Sequence, residues 1–585
     1  MSAARKGSPV LPWGRAKIVE IFGADLRSLA AFRMVLAGLV LLDLAGRAPD
    51  LYAHYTDRGI LPRDILLQEA LLNRWQFSLN LMSGELLVQA LLFGVTALAA
   101  LALLVGYRTR LMTMIVWVLV LSIQVRNPLV VNAGDTLLRL LLFWGILLPL
   151  GAHWSVDRAL KAAPPRFSMR FLSLATVGLF LQIAFVYCFT AILKWGPEWR
   201  VDGTALYYAL SIDEYATPVG AYLYQFPTLL KVLTFATIGL EAFGPFLLFS
   251  PFFTGPVRTG TVLAFMSLHL GIWLTMPLGV FSWVAAFCMV CFLPSWFWDN
   301  AAKLLPVSFL RQSATMSRFQ HTATRLVNTY WLPLRMRFAA PRGVLRPSTA
   351  GMSEDKGKRP GSPDAREITS SVGSATPRPG DEARPAAETA GEGGREHGSA
   401  ASTERTTLRP SFVTNLLALF FLFYVFSWNL QSVSGHHMPE RILPLGDLLG
   451  LRQHWGVFAP APTKTGGWYV IPGTLHGGQQ VDLMPAALRN DFDLREGVSW
   501  EKPEDFAYTT LNNKYWRTYL NNIRERDNEE LRNYFGRYIC REWNARRAGA
   551  EELTNLQIVH MAVETLPDYQ RTPPKKVVLW NHDCS

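Results

Sequence analysis

The sequence predicts an all-α polytopic membrane bundle of about nine spans, with a small α+β extramembrane domain at its C-terminus. Half of the 585 residues are hydrophobic and 17% are charged, against roughly 25% charged in ordinary soluble domains. The apolar residues are concentrated in runs close to the ~20 residues that cross a bilayer, and Leu86–Val105 is the clearest of them. Soluble composition returns after the last such run.

Nine apolar segments are predicted to cross the membrane. Their approximate bounds are Ser28–Ala45, Leu86–Val105, Leu111–Val125, Asp135–Leu150, Phe171–Leu193, Leu229–Phe249, Thr259–Met276, Leu278–Leu293 and Phe412–Leu430. The third and fourth are short and lie close together, so one re-entrant unit is the alternative to two spans. The seventh and eighth meet in a tight turn at Met276–Gly279, because Pro277 blocks helix propagation and Gly279 tolerates the bend.

These spans divide the chain into five regions. Residues 1–298 form an eight-span membrane domain, and residues 299–340 are basic and amphipathic, as expected of helices on the membrane surface. Residues 341–411 are predicted to form a disordered linker, because a segment of this composition can bury too little apolar surface to offset its ordering entropy. Residues 412–430 are the ninth span, and residues 431–585 form the α+β domain.

Within the C-terminal domain, glycines in His476–Gln479 between two β-rich runs predict a hairpin. Two helices, Tyr515–Asn522 and Asn528–Arg546, and a strand at Leu553–Val559 are expected to pack on it. Cys540 and Cys584 lie outside the predicted spans, and an oxidising compartment favours a disulfide between them. Two free thiols are the alternative.

Loop charges predict the orientation. With a cytoplasmic N-terminus, the inside loops Gly106–Arg110, Gly151–Arg170 and Ser250–Arg258 carry seven basic residues and one acid. The outside loops Arg126–Gly134 and Lys194–Thr228 carry three basic residues and four acids. Nine spans then put the C-terminal domain on the extracytoplasmic side. The first outside loop breaks the trend with four basic residues, but the rule is weak for a loop of that length.

The net charge of +12 is explained by these flanking basic residues, which contact anionic membrane lipid, so no nucleic-acid partner is expected. The Arg- and Ala-rich composition is typical of bacterial proteins and suggests a multi-pass protein of the bacterial inner (cell) membrane. Nucleotide-binding, serine-hydrolase and zinc-protease motifs do not occur in the sequence, and no metal is predicted.

Ionisable residues within spans are costly, so each is a candidate functional residue. Asn132, Asp135 and Arg139 fall on one helical face, where Asp135 and Arg139 can form an ion pair that is either structural or part of a cofactor site. Glu241 lies mid-span before Gly244 and faces either a cavity or a basic partner.

Tyr187, Thr190 and Lys194 share one face at the end of the fifth span. Lys194 is either a lysine that reaches into the headgroup region or a functional group at the membrane edge. His269 lies in the middle of the seventh span and is either a core residue or a ligand.

A series of short motifs follows in order along the chain: Phe32-Arg33, Tyr55–Pro62, Asn132–Arg139, Trp154–Asp157, Lys194–Trp199, Glu241 with Phe246–Phe249, His269 with Leu278–Phe281, and Trp455–Pro460. In this order they resemble the horizontally transferred transmembrane (HTTM) domain family, which is related to the vitamin K-dependent γ-carboxylase. The likeness covers the first eight spans and extends weakly into the outer domain.

The resemblance implies an oxidoreductase- and lyase-type reaction. In the family's carboxylase, oxygen converts a reduced quinone into an epoxide, and the base so formed removes a glutamate γ-proton before carbon dioxide adds. The implied cofactor is a vitamin K hydroquinone or a menaquinol-like quinol, with oxygen and carbon dioxide as co-reactants. The implied substrate is an exported peptide or protein.

By the same resemblance, Lys194 is the base that deprotonates the hydroquinone, and Glu241 and His269 are further catalytic candidates. Asn132, Asp135, Arg139 and Tyr187 are the candidate cofactor-binding residues. We expect burial to favour the neutral form of Lys194 that a base requires. Lys194→Ala and Lys194→Arg are then expected to abolish quinol oxidation with little loss of stability.

Two departures from the family pattern bear on the substrate. Ala152 stands where the carboxylase has a functional histidine before the tryptophan matching Trp154, and His153 is offset by one position. A shorter outer domain replaces the region that grips a propeptide, so the substrate need not be rich in glutamate. A non-catalytic quinone- or lipid-binding scaffold and a transporter stay open as alternative functions.

Overall fold

A computed structural model of the chain describes residues 13–68, 73–160, 168–304, 408–435, 437–493, 496–504, 513–524 and 529–585. Most of this structure is helical, with one small sheet near the C-terminus. Apart from residues 299–304 and 408–411, the predicted membrane-surface helices and linker lie outside the described residues.

Nine helices correspond to the nine predicted spans among the residues described. They are α1 (Leu26–Arg47), α2 (Leu86–Val105), α3 (Thr109–Arg126), α4 (Ala133–Ile146), α5 (Leu174–Leu193), α6 (Pro227–Leu248), α7 (Thr254–Thr275), α8 (Val280–Phe287) and α9 (Phe412–Gln431). Side chains start several of them: Asp25 caps α1, Ser173 caps α5 and Ser411 caps α9 by accepting backbone N–H bonds in the first turn.

Short helices occupy the connections and both ends of the bundle. They are Trp13–Phe22, Leu51–Tyr55, Arg63–Gln68, Val156–Ala159, Pro197–Arg200, Ala205–Ser211, Pro218–Leu223, Ser295–Leu304, Leu443–Leu448 and Met484–Arg489. A two-residue strand pair, Ala24–Asp25 with Arg170–Phe171, joins the starts of α1 and α5.

In the described part of the chain, seven helices are long and apolar enough to cross a membrane. The count rises to eight if Val280–Phe292 and Ser295–Ala301, which meet at a bend of 92°, form one span. The remaining predicted span, α4, is a helix of 14 residues. A multi-pass membrane protein is therefore supported, and the number nine stays a prediction.

Although short, α4 runs alongside α1 from one end of the bundle toward the other. At its start, Asp135 accepts a bond from Arg47 at the end of α1 (2.6 Å). Just after its end, the Leu150 carbonyl accepts a bond from Arg33, in the first half of α1 (3.1 Å). The fourth apolar segment is therefore antiparallel to the first.

The C-terminal domain contacts one side of the bundle, which we call the domain side. Three contacts define it: Asn522 donates to the Leu129 carbonyl (2.7 Å), Arg517 to the Pro277 carbonyl (3.0 Å) and Tyr515 to Asp43 (2.8 Å). These partners lie after α3, between α7 and α8, and near the end of α1. The loop after α3, the turn between α7 and α8 and the end of α1, all predicted to be at the outer side, thus lie on one side of the molecule.

The C-terminal sheet contains β1 (Thr465–Val470), β2 (Pro472–Leu475), β3 (Gln480–Asp482), β4 (Leu553–Glu564) and β5 (Lys575–Asp583). All pairs are antiparallel, in the order β1-β4-β2-β3, and β5 pairs with β4 as well. The predicted hairpin is formed by β2 and β3, where Gly473 faces Val481.

Helices α10 (Lys514–Arg524) and α11 (Glu529–Asn544) pack on this sheet close to their predicted positions. Their apolar faces carry Trp516, Tyr519, Phe535 and Trp543, which are fully buried. Burying large aromatic side chains contributes most to a core of this size. The sheet and both helices therefore form one core, and the sequence did not predict β5 or the short helix Met484–Arg489.

The structure joins Cys540 on α11 to Cys584 after β5 in a disulfide, with Cα atoms 5.5 Å apart. By the chain-entropy estimate, closing this loop stabilises the domain by about 3–4 kcal/mol, and Cys540→Ser should remove that amount. Peptide mapping without reduction should recover the two cysteines in one linked pair of peptides. Recovery of both as alkylated thiols would rule the pairing out.

A buried acid lies between the bundle and the domain. Glu214, in the loop between α5 and α6, is 3.5 Å from Arg524 and 3.9 Å from His560. Burial raises the pKa of the Glu214 carboxyl to about 7, against the opposing charge of Arg524. Burial, with the charge of Arg524, lowers the pKa of His560 to about 4.

These pKa shifts predict that the free energy of unfolding depends on pH. The Glu214→Gln substitution isolates the contribution of Glu214. Because its folded pKa is raised, Glu214 stabilises the fold fully below about pH 4.5, and that contribution is lost as the pH rises to about 7. His560 acts oppositely, so its contribution is present above pH 6.5 and is lost toward pH 4. Relative to the wild type, Glu214→Gln should gain about 3 kcal/mol of unfolding free energy between pH 4 and pH 8. Equal differences at both pH values would contradict this assignment.

Candidate functional site

An enclosed chamber lies on the domain side, between α5, α6 and α7. Its walls are mostly apolar and are completed by residues 455–458 of the C-terminal region. The chamber has a volume of about 60 Å³, enough for a few water molecules at roughly 10–15 Å³ each. Its polar lining includes Tyr187, Thr190, Lys194, Thr237, Glu241 and His269.

Lys194 and Glu241 form an ion pair in this chamber. The Lys194 ammonium donates to both carboxylate oxygens at 2.8 Å, and the side chains are 5% and 9% exposed. Lys194 follows the last residue of α5, where Gly196 and Pro197 redirect the chain. Its ammonium also lies 4.2 Å from the ring centre of Trp199.

This ion pair corrects the sequence-based view of Lys194. We expected burial to favour the neutral form of Lys194, whereas a carboxylate from α6 binds its ammonium with two charge-assisted hydrogen bonds. Glu198, the expected competitor, instead pairs with Lys464 at 3.0 Å. The expectation that Lys194→Ala costs little stability is withdrawn, since it would leave Glu241 buried without its cation.

Tyr187 and His269 form the second polar pair. The Tyr187 hydroxyl lies 2.8 Å from Nε2 of His269, and both side chains are buried. Nδ1 of His269 has no hydrogen-bond partner among the described residues. Because buried polar atoms are nearly always hydrogen-bonded, this nitrogen is a candidate partner for a bound molecule or water.

The C-terminal region supplies part of the chamber wall. The Thr190 hydroxyl donates to the Trp455 carbonyl (3.0 Å), and Trp199 donates to the Phe458 carbonyl (2.9 Å). Residues 455–460 form one of the motifs visible in the sequence, but no sequence pattern placed them at this site. Their aromatic and proline content soon after the ninth span was the available signal.

Three predicted cofactor-binding residues lie outside this chamber. Asn132 caps α4 together with Asp135, which accepts a 2.6 Å bond from Arg47. Arg139 donates to Gln124 and to the Gly450 carbonyl. The ion pair predicted between Asp135 and Arg139 is therefore not formed, because Arg47 takes the carboxylate. Of the four predicted residues, Tyr187 lines the chamber.

A larger cavity, which we call the vestibule, lies beside the chamber. It has a volume of about 680 Å³ and is lined by Leu42, Asp43, Gly46, Trp273, Pro277, Gly279, Val280, Trp283, Asn513, Lys514, Tyr515 and Arg517. Residues 276–281 separate the two spaces: Pro277 and Gly279 line the vestibule, whereas Met276, Leu278 and Phe281 line the chamber. Residues 276–281 thus form the wall between the vestibule and the chamber that contains the Lys194–Glu241 pair.

Among the described residues, no group of three or more His, Cys, Asp or Glu side chains is placed to hold a metal ion. Comparison of the chain with family models, with curated proteins and with solved structures found no match.

Proposed function

We propose that the chamber is the active site of an HTTM-like membrane enzyme that uses a reduced quinone and oxygen, with carbon dioxide, to modify an exported peptide. The observation that supports this best is the placement of two polar pairs, Lys194–Glu241 and Tyr187–His269, in one apolar chamber. Buried ionisable groups near a membrane edge are expensive, and an acid–base task accounts for their presence.

In this proposal the roles within the ion pair differ from those first expected. Glu241 is the base that accepts a proton from a hydroxyl group, because a carboxylate can take a proton and an ammonium cannot. Lys194 holds the negative charge that the hydroxyl leaves behind, and a water-poor chamber strengthens this interaction. Nδ1 of His269, which has no hydrogen-bond partner among the described residues, orients a second oxygen atom of the bound molecule. Tyr187 holds the His269 ring through its contact with Nε2.

A reduced quinone, when bound, would supply the acidic hydroxyl group and serve as the reductant for oxygen. The apolar lining and the two polar pairs match the chemistry of such a ring. The present chamber volume of about 60 Å³ does not accommodate it, so Met276, Leu278 and Phe281 have to move. Access from the vestibule through residues 276–281 fits this requirement.

Mass spectrometry of the lipid extracted from purified protein tests the proposal. The expected result is a co-purifying quinone, with consumption of added hydroquinone under oxygen. A retained quinone without turnover would indicate a non-catalytic quinone-binding scaffold. The absence of both from a folded protein would reject the proposal and favour a transporter.

The proposal also assigns an orientation in the bacterial inner membrane, with a cytoplasmic N-terminus and an extracytoplasmic domain. A reporter enzyme that is active only outside the cytoplasm should be active when fused after Ser585 and silent when fused after residue 350. This follows from the loop charges, since basic loops stay inside. The reverse pair of activities would overturn the orientation.

A further inference from the structure

We propose that the vestibule binds the anionic, phosphate-bearing headgroup of a membrane lipid. It opens at the domain-side end of α1, α7 and α8, where the bundle meets the C-terminal domain. Its volume of about 680 Å³ falls within the roughly 300–1,000 Å³ typical of small-molecule sites. The vestibule is also the access route proposed for the quinone, and the lipid site is tested by lipid retention without any measurement of turnover.

The polar wall of the vestibule is basic. Lys514 and Arg517 reach it from α10, and Asp43 is the acid among its lining residues. Asp43 already accepts bonds from Arg47 (2.7 Å) and Tyr515 (2.8 Å) as well as from Lys514 (3.0 Å). Because a lysine ammonium has three donors, Lys514 can bind a phosphate oxygen and keep Asp43. The remaining charge therefore favours an anion.

The opposite wall is apolar and partly exposed. Leu42 is 63% exposed and Trp273 is 40% exposed, and the Trp273 and Trp283 rings lie 4.8 Å apart. Tryptophan is enriched where headgroups meet acyl chains, and a lysine ammonium binds a phosphate oxygen by a charge-assisted hydrogen bond. A lipid whose phosphate contacts Lys514 can thus extend its chain along Leu42 and Trp273.

Gly279 holds the basic group in place. Its φ of +69° favours glycine, and a Cβ atom there would lie 2.2 Å from Cδ of Lys514. The lysine stem therefore packs directly against the backbone between α7 and α8. This contact positions the ammonium over the cavity and limits its movement toward solvent.

Native mass spectrometry of the full chain tests the site. After exchange into vesicles of phosphatidylcholine with or without phosphatidylglycerol, the wild type should retain phosphatidylglycerol in preference to phosphatidylcholine. Lys514→Met should reduce that preference roughly tenfold, since it removes the ammonium that meets the phosphate. Lys231→Met is the matched control, because Lys231 is an exposed lysine near the start of α6, outside the vestibule.

A second variant, Trp273→Ala, and a displacement experiment with inorganic phosphate complete the test. Trp273→Ala keeps the basic wall and should weaken retention of long-chain more than of short-chain phosphatidylglycerol, which covers the case in which Lys514→Met fails to fold. Displacement of the lipid by inorganic phosphate alone would identify a free-phosphate site and overturn the lipid assignment. Equal retention by wild type, Lys514→Met and Lys231→Met would overturn the site itself.

Discussion

Glu241→Gln is expected to lower hydroquinone turnover by about 10²–10⁴-fold, the usual contribution of a positioned general base. Glutamine has nearly the same shape as glutamate but cannot accept the proton at this position. The uncharged amide leaves the ammonium of Lys194 buried without a negatively charged partner, so a loss of stability is expected as well. Activity therefore has to be compared at equal amounts of folded protein.

Lys194→Met and the double variant separate the chemical role of the pair from its structural role. Removing the cation alone leaves a buried carboxylate and should lower the free energy of unfolding by about 3–5 kcal/mol. The double variant Lys194→Met with Glu241→Gln contains no buried charge in the pair, so its stability should largely return. The hydroquinone turnover of the double variant should stay low, because the proposed base is absent.

Unfolding in mixed micelles and hydroquinone consumption by the four proteins complete this cycle. Additive losses of stability in the double variant would show that the two side chains do not interact. Full turnover in the double variant would mean that the pair only supports the fold, and the catalytic assignment would be withdrawn.

Arg47→Met is the second change with a large expected effect. Arg47 is 1% exposed and donates to Asp43 (2.7 Å), Tyr55 (2.6 Å) and Asp135 (2.6 Å). Its loss leaves two buried carboxylates without their shared cation, which should lower the free energy of unfolding by about 3–5 kcal/mol. Protease resistance of the C-terminal domain should fall in parallel, since Asp43 also binds Tyr515 and Lys514.

Arg63→Met is the matched control for this network. The Arg63–Asp57 pair has similar geometry, at 2.6 Å, but its side chains are 31% and 37% exposed. Exposed pairs contribute about 0–1 kcal/mol, so this variant should resemble the wild type. Equal losses in Arg47→Met and Arg63→Met would show that burial of the Arg47 network adds no stability.

The membrane segments were predictable because their signal is local. Runs of apolar residues identify α1, α2, α5 and α9 to within a few residues. Helical periodicity likewise grouped Tyr187, Thr190 and Lys194, and the three line one chamber. Composition and spacing along one helix were sufficient for these predictions.

Partners from other helices were not predictable in this way. Glu241 is 47 residues from Lys194, and no pattern along the chain joins them. Asp135 and Arg139 have the spacing of an ion pair, yet packing brings Arg47 to the carboxylate instead. Charge pairing inside the bundle is thus decided by tertiary contacts, which spacing on one helix does not specify.

Oxygen uptake by the purified full chain with a short-chain hydroquinone shows whether the chamber is an acid–base site. Oxygen uptake should require the hydroquinone and match its consumption, and it should fall by about 10²–10⁴-fold in Glu241→Gln at equal folded protein. Folded wild-type protein without hydroquinone-dependent uptake, or equal uptake by wild type and Glu241→Gln, would contradict an acid–base site in the chamber.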